Sequence, residues 1–162
     1  MITTVQRCAS ASVTVDGAVV GAIDKGLLLF VCVEDGDTEA DARETARKLV
    51  ALRCFPDRTP MDLNVVQAGG SCLVVSQFTL AAELRHGNRP DFTAAAPPDH
   101  ARRLYERVAG EIAATGIPVA CGVFGAKMLV HVANDGPVTL LLRVRDGKAR
   151  SLRPEAPAAG QS

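Results

Sequence analysis

The pattern of apolar and polar positions predicts a sheet of several strands packed against two helices. Asp16-Gly17 is typical of a hairpin turn and separates two of the apolar runs. Apolar residues at helical spacing predict amphipathic helices over residues 38–53 and 99–115. Strand character is found at residues 2–8, 11–15, 18–23, 27–33, 72–75, 117–123, 128–134 and 138–145, with a shorter extended piece at 61–65. We therefore expect an α+β fold with a largely antiparallel, barrel-like β-sheet and two principal helices packed on the outside.

Both predicted helices carry recognisable signals at their ends. Thr38 followed by Asp41 resembles a capping box at the start of the first helix. Asp99 is placed to cap the second helix, and Gly116 is placed to end it. Each helix therefore has a defined expected start.

The apolar run at residues 72–75 is followed at once by hydrogen-bonding side chains. Ser76, Gln77 and Thr79 come next, with only Phe78 between them. A strand buried on both faces whose end turns polar would hold donors and acceptors at the rim of a cavity. Because an unpaired buried polar group costs about 1–3 kcal/mol, either the fold or a ligand must satisfy them. The alternative is a strand entering a turn, with Ser and Thr bonded to local backbone.

Three other features have both a structural and a functional interpretation. Arg7 is either a strand charge that reaches solvent or a fork of donors that holds backbone carbonyls. The loop at residues 81–98 is long and contains basic residues that either meet phosphates or face water. Asn134-Asp135-Gly136-Pro137 is by itself explained as a hairpin turn.

The charge balance limits the kind of nucleic-acid contact this chain can make. Its 162 residues include 18 Lys plus Arg and 18 Asp plus Glu, so the net charge is zero. A neutral protein is a poor coat for nucleic-acid backbones, although it can grip one end of an RNA. We expect one domain over residues 1–145, followed by a disordered Pro/Ala/Gly-rich tail at 146–162.

The cysteines and the N-terminal sequence favour a reducing compartment. The five cysteines lack the spacing of a metal site and are expected to be small buried hydrophobic residues. No metal and no other cofactor is expected. The first residues do not resemble a signal peptide, and no apolar run approaches the ~20 residues that a membrane span needs. We expect a cytoplasmic protein with no membrane partner.

Two motifs give the chain a specific resemblance. Ser76-Gln77-Phe78-Thr79 and Asn134-Asp135-Gly136-Pro137-Val138-Thr139 closely resemble the two signature motifs of the D-aminoacyl-tRNA deacylase family. The similarity extends in order and spacing to residues 5–7, 11–15, 61–80, 88–90 and 122–128, and it covers roughly residues 1–144. The segment after Arg145 has no counterpart in this pattern.

The resemblance implies a homodimer that hydrolyses the ester between a D-amino acid and the terminal adenosine of tRNA. It implies that the Gly136-Pro137 bond is cis and that this loop enters the active site of the other subunit. The implied catalytic residues are Ser76, Gln77, Phe78 and Thr79. The implied substrate-binding residues are Gly136, Pro137, Phe124, Met128 and Arg7, the last holding the loop in place.

The same resemblance suggests how substrates are selected and leaves the mechanism open. A rigid pair of carbonyls could bind the substrate's amino group and leave no room for an L-side chain, so selection is by exclusion and glycyl-tRNA is accepted. Thr79 could be a nucleophile, although no histidine is an obvious base by spacing. The favoured route uses backbone N–H groups near residues 77–79 for the oxyanion and the ribose 2′-hydroxyl to assist a water.

Two other functions compete with this one. The first is a hydrolase or deaminase of small molecules with its pocket at a subunit boundary. The second is a module that holds aminoacylated RNA ends without cutting them. An assay of ester loss from matched D- and L-aminoacyl-tRNA would separate all three.

Overall fold

The computed structural model describes residues 1–152. The strands are β1 (Ile2–Val15), β2 (Ala18–Ile23), β3 (Gly26–Cys32), β4 (Ser71–Ser76), β5 (Val119–Cys121), β6 (Leu129–Arg145) and β7 (Lys148–Arg150). The helices are α1 (Glu39–Ala51) and α2 (Pro98–Ala113), and a 3₁₀ turn spans Phe78–Ala81. The α+β class with two principal helices is confirmed.

The seven strands form one mixed sheet. Its order is β5-β4-β3-β1-β6-β7, and β2 pairs with β1 outside this path. β1 is antiparallel to β2, β3 and β6, and β6 is antiparallel to β7. β4 is instead parallel to both β3 and β5. The expectation of a largely antiparallel sheet therefore needs correction at this edge, where strands buried on both faces run parallel.

The β1–β2 hairpin folds across one face of the sheet, which accounts for the barrel-like curl. Gly21 of β2 approaches β5 so closely that an added Cβ would lie 2.5 Å from the carbonyl oxygen of Cys121 and 3.3 Å from Leu73 Cδ1. Such a separation leaves no space for a side chain, so glycine is needed where the two ends of the curled sheet meet.

Side chains of β4 alternate between two apolar clusters, one on each face of the sheet. Cys72 and Val74 pack into the cluster that includes both helices. Leu73 and Val75 pack into the cluster beneath the β1–β2 hairpin. All four are at most 1% exposed, so the strand predicted to be buried on both faces is so. This placement gives the turn that follows β4 a rigid support.

Several predicted boundaries differ from the structure. β1 is continuous through residues 9–10, and β6 is continuous through the Asn134–Pro137 segment, which makes no hairpin turn. The extended piece at 61–65 is reduced to a single bridge between Leu63 and Phe55. In each case the strand boundaries depend on the segment that pairs with the strand, which a local pattern of apolar and polar residues does not specify.

Of the two predicted helix caps, the one at α1 is confirmed and the one at α2 is wrong. Thr38 and Asp41 form the predicted capping box at α1, with Asp41 accepting from the Thr38 backbone N–H at 2.8 Å. At α2, Pro97 holds the cap position and Asp99 lies inside the first turn, so its predicted capping role is wrong. Pro98 at the first helical position already has the required φ, which lets α2 begin two residues before the predicted start.

The beginning of the expected tail is ordered. After a turn at Asp146 and Gly147, β7 pairs with the end of β6, and the Gly147 N–H donates to Asp41 Oδ1 at 2.9 Å. The expectation of disorder from residue 146 is therefore corrected for residues 146–150. The rest of the predicted tail, from residue 153, lies outside the described residues. Among the described helices, none combines the length and the hydropathy needed to cross a membrane.

Candidate active site

The candidate site is built on the turn that follows β4. The Gln77 N–H extends the parallel pairing by donating to the Val31 carbonyl at 2.9 Å. The chain then enters the 3₁₀ turn, whose first internal bond runs from Leu80 N–H to the Gln77 carbonyl at 3.2 Å. This geometry gives the N–H groups of Phe78 and Thr79 no acceptor within the turn. Both N–H groups are therefore potential donors at the end of a rigid strand.

Two side chains of this turn bond to each other, and a third is exposed at the surface. Gln77 Nε2 donates to Thr79 Oγ1, so the threonine hydroxyl already has a partner within the turn. Phe78 is 58% exposed and packs edge-on against Phe92, with ring centroids 5.1 Å apart. An exposed aromatic ring fixed on one edge offers an apolar surface to a ligand.

A pocket of about 310 Å³ opens beside this turn. Its wall is mainly apolar, which is typical of sites that take a small organic group. The lining residues are Val31, Val33, Ser76, Gln77, Phe78, Ala95, Ala96, Pro98, Ala101, Tyr105, Phe124 and Gly125. The pocket therefore lies between the ends of β3 and β4, the start of α2 and the loop after β5.

Tyr105 ties α2 to the strand that carries the site. Its hydroxyl donates to the Val74 carbonyl at 2.8 Å, and its ring lies 5.8 Å from that of Phe124. Burial raises the pKa of the Tyr105 hydroxyl well above its usual range, and nearby Cys121 raises it further. The phenol is therefore neutral and serves as a fixed part of the pocket wall.

The histidines are remote from the pocket, and the cysteine nearest the turn is inert. His100 Nε2 bonds the Asp37 carbonyl at 2.8 Å, and none of the three histidines lines this pocket. Cys32 Sγ contacts the Phe78 carbonyl at 3.6 Å, but burial, and then the charge of Glu34, raises its pKa to about 11. It is a thiol at neutral pH. Within residues 1–152 no group of three or more His, Cys, Asp or Glu could hold a metal ion.

The second motif forms a bulge in β6. Gln6 pairs with Thr139 and Cys8 pairs with Asn134, so the four residues 135–138 oppose a single residue of β1, Arg7. Gly136 has φ +122° and is joined to Pro137 by a cis peptide bond. Both residues are exposed. The bulge therefore presents a glycine and a proline outward from the sheet.

Arg7 and Asn134 hold the base of the bulge. Arg7 is 8% exposed, and its Nε donates to the Asp135 carbonyl at 3.2 Å and pairs with Asp135 Oδ2 at 3.1 Å. Its Nη1 donates to the Cys54 carbonyl at 2.7 Å. With the Asn134 amide oriented to satisfy its neighbours, the nitrogen donates to the carbonyls of Val138 (3.1 Å) and Arg7 (3.0 Å). Of its two sequence interpretations, the one in which Arg7 binds carbonyls fits this geometry.

The structure brings together some of the predicted site residues and separates the others. Ser76, Gln77, Phe78 and Phe124 share the pocket, while Thr79 follows one residue along the turn. Met128 instead packs against the cluster under the β1–β2 hairpin, where its Sδ faces Gly122.

The bulge lies far from the pocket of its own chain. β3 and β1 separate β4 from β6, and Ser76 aligns through Val31 with Thr3, four residues before Arg7. Three strand spacings and four residues correspond to roughly 20 Å along the sheet. The chain therefore does not place Gly136 and Pro137 beside its own Ser76–Thr79 turn.

The sequence reasoning missed one wall of the pocket. Ala95, Ala96, Pro98, Ala101 and Tyr105 come from the end of the long loop and the start of α2. Tyr105 is the single tyrosine of the chain and lies in an otherwise aliphatic helix stripe, which was a usable signal of a buried polar partner. The small residues carried no such signal.

Known proteins are similar to this chain over most of its length. A family model described as D-Tyr-tRNA(Tyr) deacylase matches residues 4–143. The chain is 52% identical over 141 residues to a D-aminoacyl-tRNA deacylase of Ruegeria pomeroyi, covering 86% of this chain and 97% of the relative. It is 51% identical over 148 residues to a D-aminoacyl-tRNA deacylase of Geobacter sulfurreducens, covering 91% and 95%.

Two solved structures share the fold. One, described as c-Myc DNA Unwinding Element Binding Protein, has a TM-score of 0.84 and 35% identity, covering 90% of this chain and 99% of that one. A structure described as a probable eukaryotic D-amino acid tRNA deacylase has a TM-score of 0.73 at 14% identity, which supports the fold alone. The fold and the matched residues define a hydrolase class. The chain belongs to the D-Tyr-tRNA(Tyr) deacylase family, so the family and enzyme class predicted from the two motifs are confirmed.

Proposed function

We propose that this chain, as a homodimer, hydrolyses the ester bond of D-aminoacyl-tRNA and excludes L-aminoacyl-tRNA by means of its Gly136-Pro137 bulge. Membership of the family supports the reaction. The observation that carries the exclusion device is a rigid, exposed bulge that lies roughly 20 Å along the sheet from its own pocket. A feature so firmly held, and so far from the site of its own chain, is suited to acting on a second copy.

Exposed apolar side chains on the same strand support self-association. Leu129, Val132, Leu140 and Leu141 of β6 are all exposed, on both sides of the bulge. Adjacent strand residues such as Leu140 and Leu141 point to opposite faces, so β6 exposes apolar side chains on both of its faces. Exposed apolar surface is typical of an interface. In a two-fold dimer the same surface serves both partners, so each bulge would enter the other subunit's site. Two equivalent composite sites would result.

The selection step follows from what such a bulge would offer the substrate. The carbonyls of Gly136 and its neighbours would accept bonds from the substrate's α-amino group, and Arg7 fixes their position. With the amino group held there, one side of the Cα faces backbone and has no space for a side chain. A D-side chain points away from that wall. Glycine has no side chain to reject, so glycyl-tRNA, including glycine mischarged on tRNA-Ala, is expected to be hydrolysed.

The pocket beside the turn suits the terminal adenosine of the tRNA. Its apolar wall and the exposed Phe78 ring would contact the base. The ester carbonyl would then lie near the Phe78 and Thr79 N–H groups, which would stabilise its oxyanion. A neutral chain that takes only the aminoacylated end needs few phosphate contacts. The cytoplasm, where charged tRNA is used, is the location that fits this substrate.

We favour water attack assisted by the ribose 2′-hydroxyl over a covalent Thr79 intermediate. Thr79 Oγ1 accepts from Gln77 Nε2, and no histidine lines the pocket to remove its proton. An aminoacyl ester is already activated, so oxyanion stabilisation and positioning supply the remaining rate enhancement. Ser76 and Gln77 would orient the ribose at the end of β4.

The test is hydrolysis of matched D- and L-tyrosyl-tRNA, with free D-tyrosine ethyl ester as a third substrate. We expect rapid ester loss from D-tyrosyl-tRNA, little from the L-form and little from the ethyl ester. Equal turnover of the free ester would favour a small-molecule hydrolase. Retention of charged tRNA without release of tyrosine would favour a binding module and contradict the proposal.

A further inference from the structure

Arg102 stacks on one residue of the pocket wall, Phe124, and belongs to no interaction described so far. Its neighbour Ala101 and residue Tyr105, one turn along α2, both line the pocket. Its guanidinium carbon lies 4.8 Å from the centroid of the Phe124 ring, which forms another part of the wall. An arginine stacked on an aromatic ring is held in place while the N–H groups at its edge remain available.

The other arginines on the same helix are used differently. Arg103 and Arg107 pair with Glu39 of α1 at 3.7 and 3.8 Å, and Arg107 also pairs with Glu111 at 2.7 Å. Within residues 1–152, no carboxylate oxygen lies within 4.0 Å of the Arg102 nitrogens. Arg102 is therefore an exposed, positioned cation whose counter-charge is not supplied by these residues.

Two acidic residues of α2 lie near Arg102 without forming an ion pair with it, and one lysine follows its stacking partner Phe124 in the chain. Asp99 and Glu106 lie one turn away on α2, and neither closes an ion pair with it. Lys127, exposed and without an ion pair among the described residues, follows Phe124 in the same loop. Arg102 thus stacks on the aromatic residue of the pocket wall, and a second cation follows that residue three positions later in the chain, although the chain as a whole is neutral.

We propose that Arg102 binds the phosphate group that precedes the terminal adenosine of tRNA, with Lys127 as a second, weaker contact. The inference rests on the proposed function, because a nucleoside seated in the pocket continues through its 5′ phosphate toward the mouth. The planar guanidinium can donate two parallel bonds to one phosphate, whereas the Lys127 ammonium acts as a point charge. Arg102 is thus a binding residue for the RNA and does not act on the ester.

The experiment compares two substrates that differ in phosphate. D-tyrosyl-tRNA carries the phosphate, whereas D-tyrosine esterified to adenosine alone lacks it. For Arg102→Gln we expect kcat/KM on the tRNA to fall about three- to tenfold, while hydrolysis of the adenosine ester is retained. The slope of log kcat/KM against log[KCl] should become shallower by about 0.7, the value for one single-strand phosphate contact. Arg102→Lys should restore part of the loss.

Arg103→Gln is the matched control, since it removes the same charge from the same helix but from a residue that faces α1. Equal effects of Arg102→Gln and Arg103→Gln would mean that only the overall charge of the protein matters, and this would overturn the inference. Equal loss on both substrates would mean that Arg102 acts by packing Phe124, which also overturns it. If the unmodified protein hydrolyses neither D-substrate, the proposed function itself fails, and that result is distinguishable from the other two.

Discussion

Replacing Gly136 with alanine tests the chiral exclusion directly. An added Cβ would lie 2.8 Å from Val138 Cγ2, 2.9 Å from Arg7 Nη2 and 3.0 Å from the Val138 nitrogen. The two side-chain contacts could yield, but the backbone nitrogen cannot move independently of the bulge. The φ of +122° is also one that alanine rarely adopts, at a cost of about 1–3 kcal/mol. The bulge must therefore shift, and with it the Arg7 contact to Asp135.

We expect two measurable consequences of that shift. Thermal unfolding should move down by roughly 2–12 °C, at about 2–4 °C per kcal/mol for a chain of this size. In single-turnover deacylation of matched D- and L-tyrosyl-tRNA, the ratio of the D rate to the L rate should fall about tenfold for each 1.4 kcal/mol of lost exclusion. The ratio should fall because L-tyrosyl-tRNA is hydrolysed faster.

Gly69→Ala provides the control for backbone strain. Gly69 has φ +64° and no atom within 4 Å of an added Cβ, so it should lose about 1 kcal/mol of stability with an unchanged D to L ratio. Arg7→Lys is a second variant in case Gly136→Ala folds poorly, because lysine cannot contact both the Asp135 and Cys54 carbonyls. A folded, dimeric Gly136→Ala protein with the normal ratio would refute the exclusion argument.

Four further predictions concern catalysis, packing and pH. Thr79→Ala should keep single-turnover deacylation within about tenfold of normal, since the water route needs no hydroxyl there; a thousandfold loss with tRNA binding intact would establish the covalent route. Gly26→Ala should unfold the protein or lower its melting temperature sharply, because the added Cβ would lie 1.9 Å from the Ser71 carbonyl oxygen that β4 presents. Gly110→Ala, in α2 with no atom within 4 Å, should instead raise the free energy of unfolding by about 0.5–1 kcal/mol, and a loss there would contradict the packing described. For Asp41, burial raises the pKa, but hydrogen bonds from the Gly147 and Thr38 backbones and the Thr38 hydroxyl lower it more, so the net pKa is depressed. A depressed folded-state pKa stabilises the protein above the unfolded value near pH 4 and loses that effect as pH falls through the folded value. Asp41→Asn should therefore cost about 1 kcal/mol at neutral pH, and the gap from the unmodified protein should close below about pH 4; melts that keep the same gap at both pH values would exclude this role.

The strand that carries the site could be predicted from local sequence because its burial is encoded locally. The apolar residues 72–75 are hydrophobic on both alternating faces, and Ser76-Gln77 marks where the strand leaves the core. The parallel pairing of β3 with β4 was not assigned, since a continuous apolar run does not specify the direction of its neighbour. Whether two strands pair in parallel depends on how the rest of the chain connects them.

The bulge and the pocket wall show why long-range contacts escape a local pattern. Asp-Gly-Pro fits a hairpin turn, and only the opposing Arg7, more than a hundred residues away, converts it into a bulge within a continuous strand. The alanines of the pocket wall carry no chemical signal at all. Their role depends on small size at a place where α2 begins close to β3.

The four-against-one count of the β6 bulge has a consequence for how selectivity can change during evolution. Pairing with β1 resumes at Thr139 on one side and at Asn134 on the other, where a second register shift follows between Cys8 and Ser10. Insertions or deletions between those two anchors would alter the reach of the projecting segment while the ladder on either side stays as it is. Substrate preference could therefore diverge among descendants of this chain without a new scaffold.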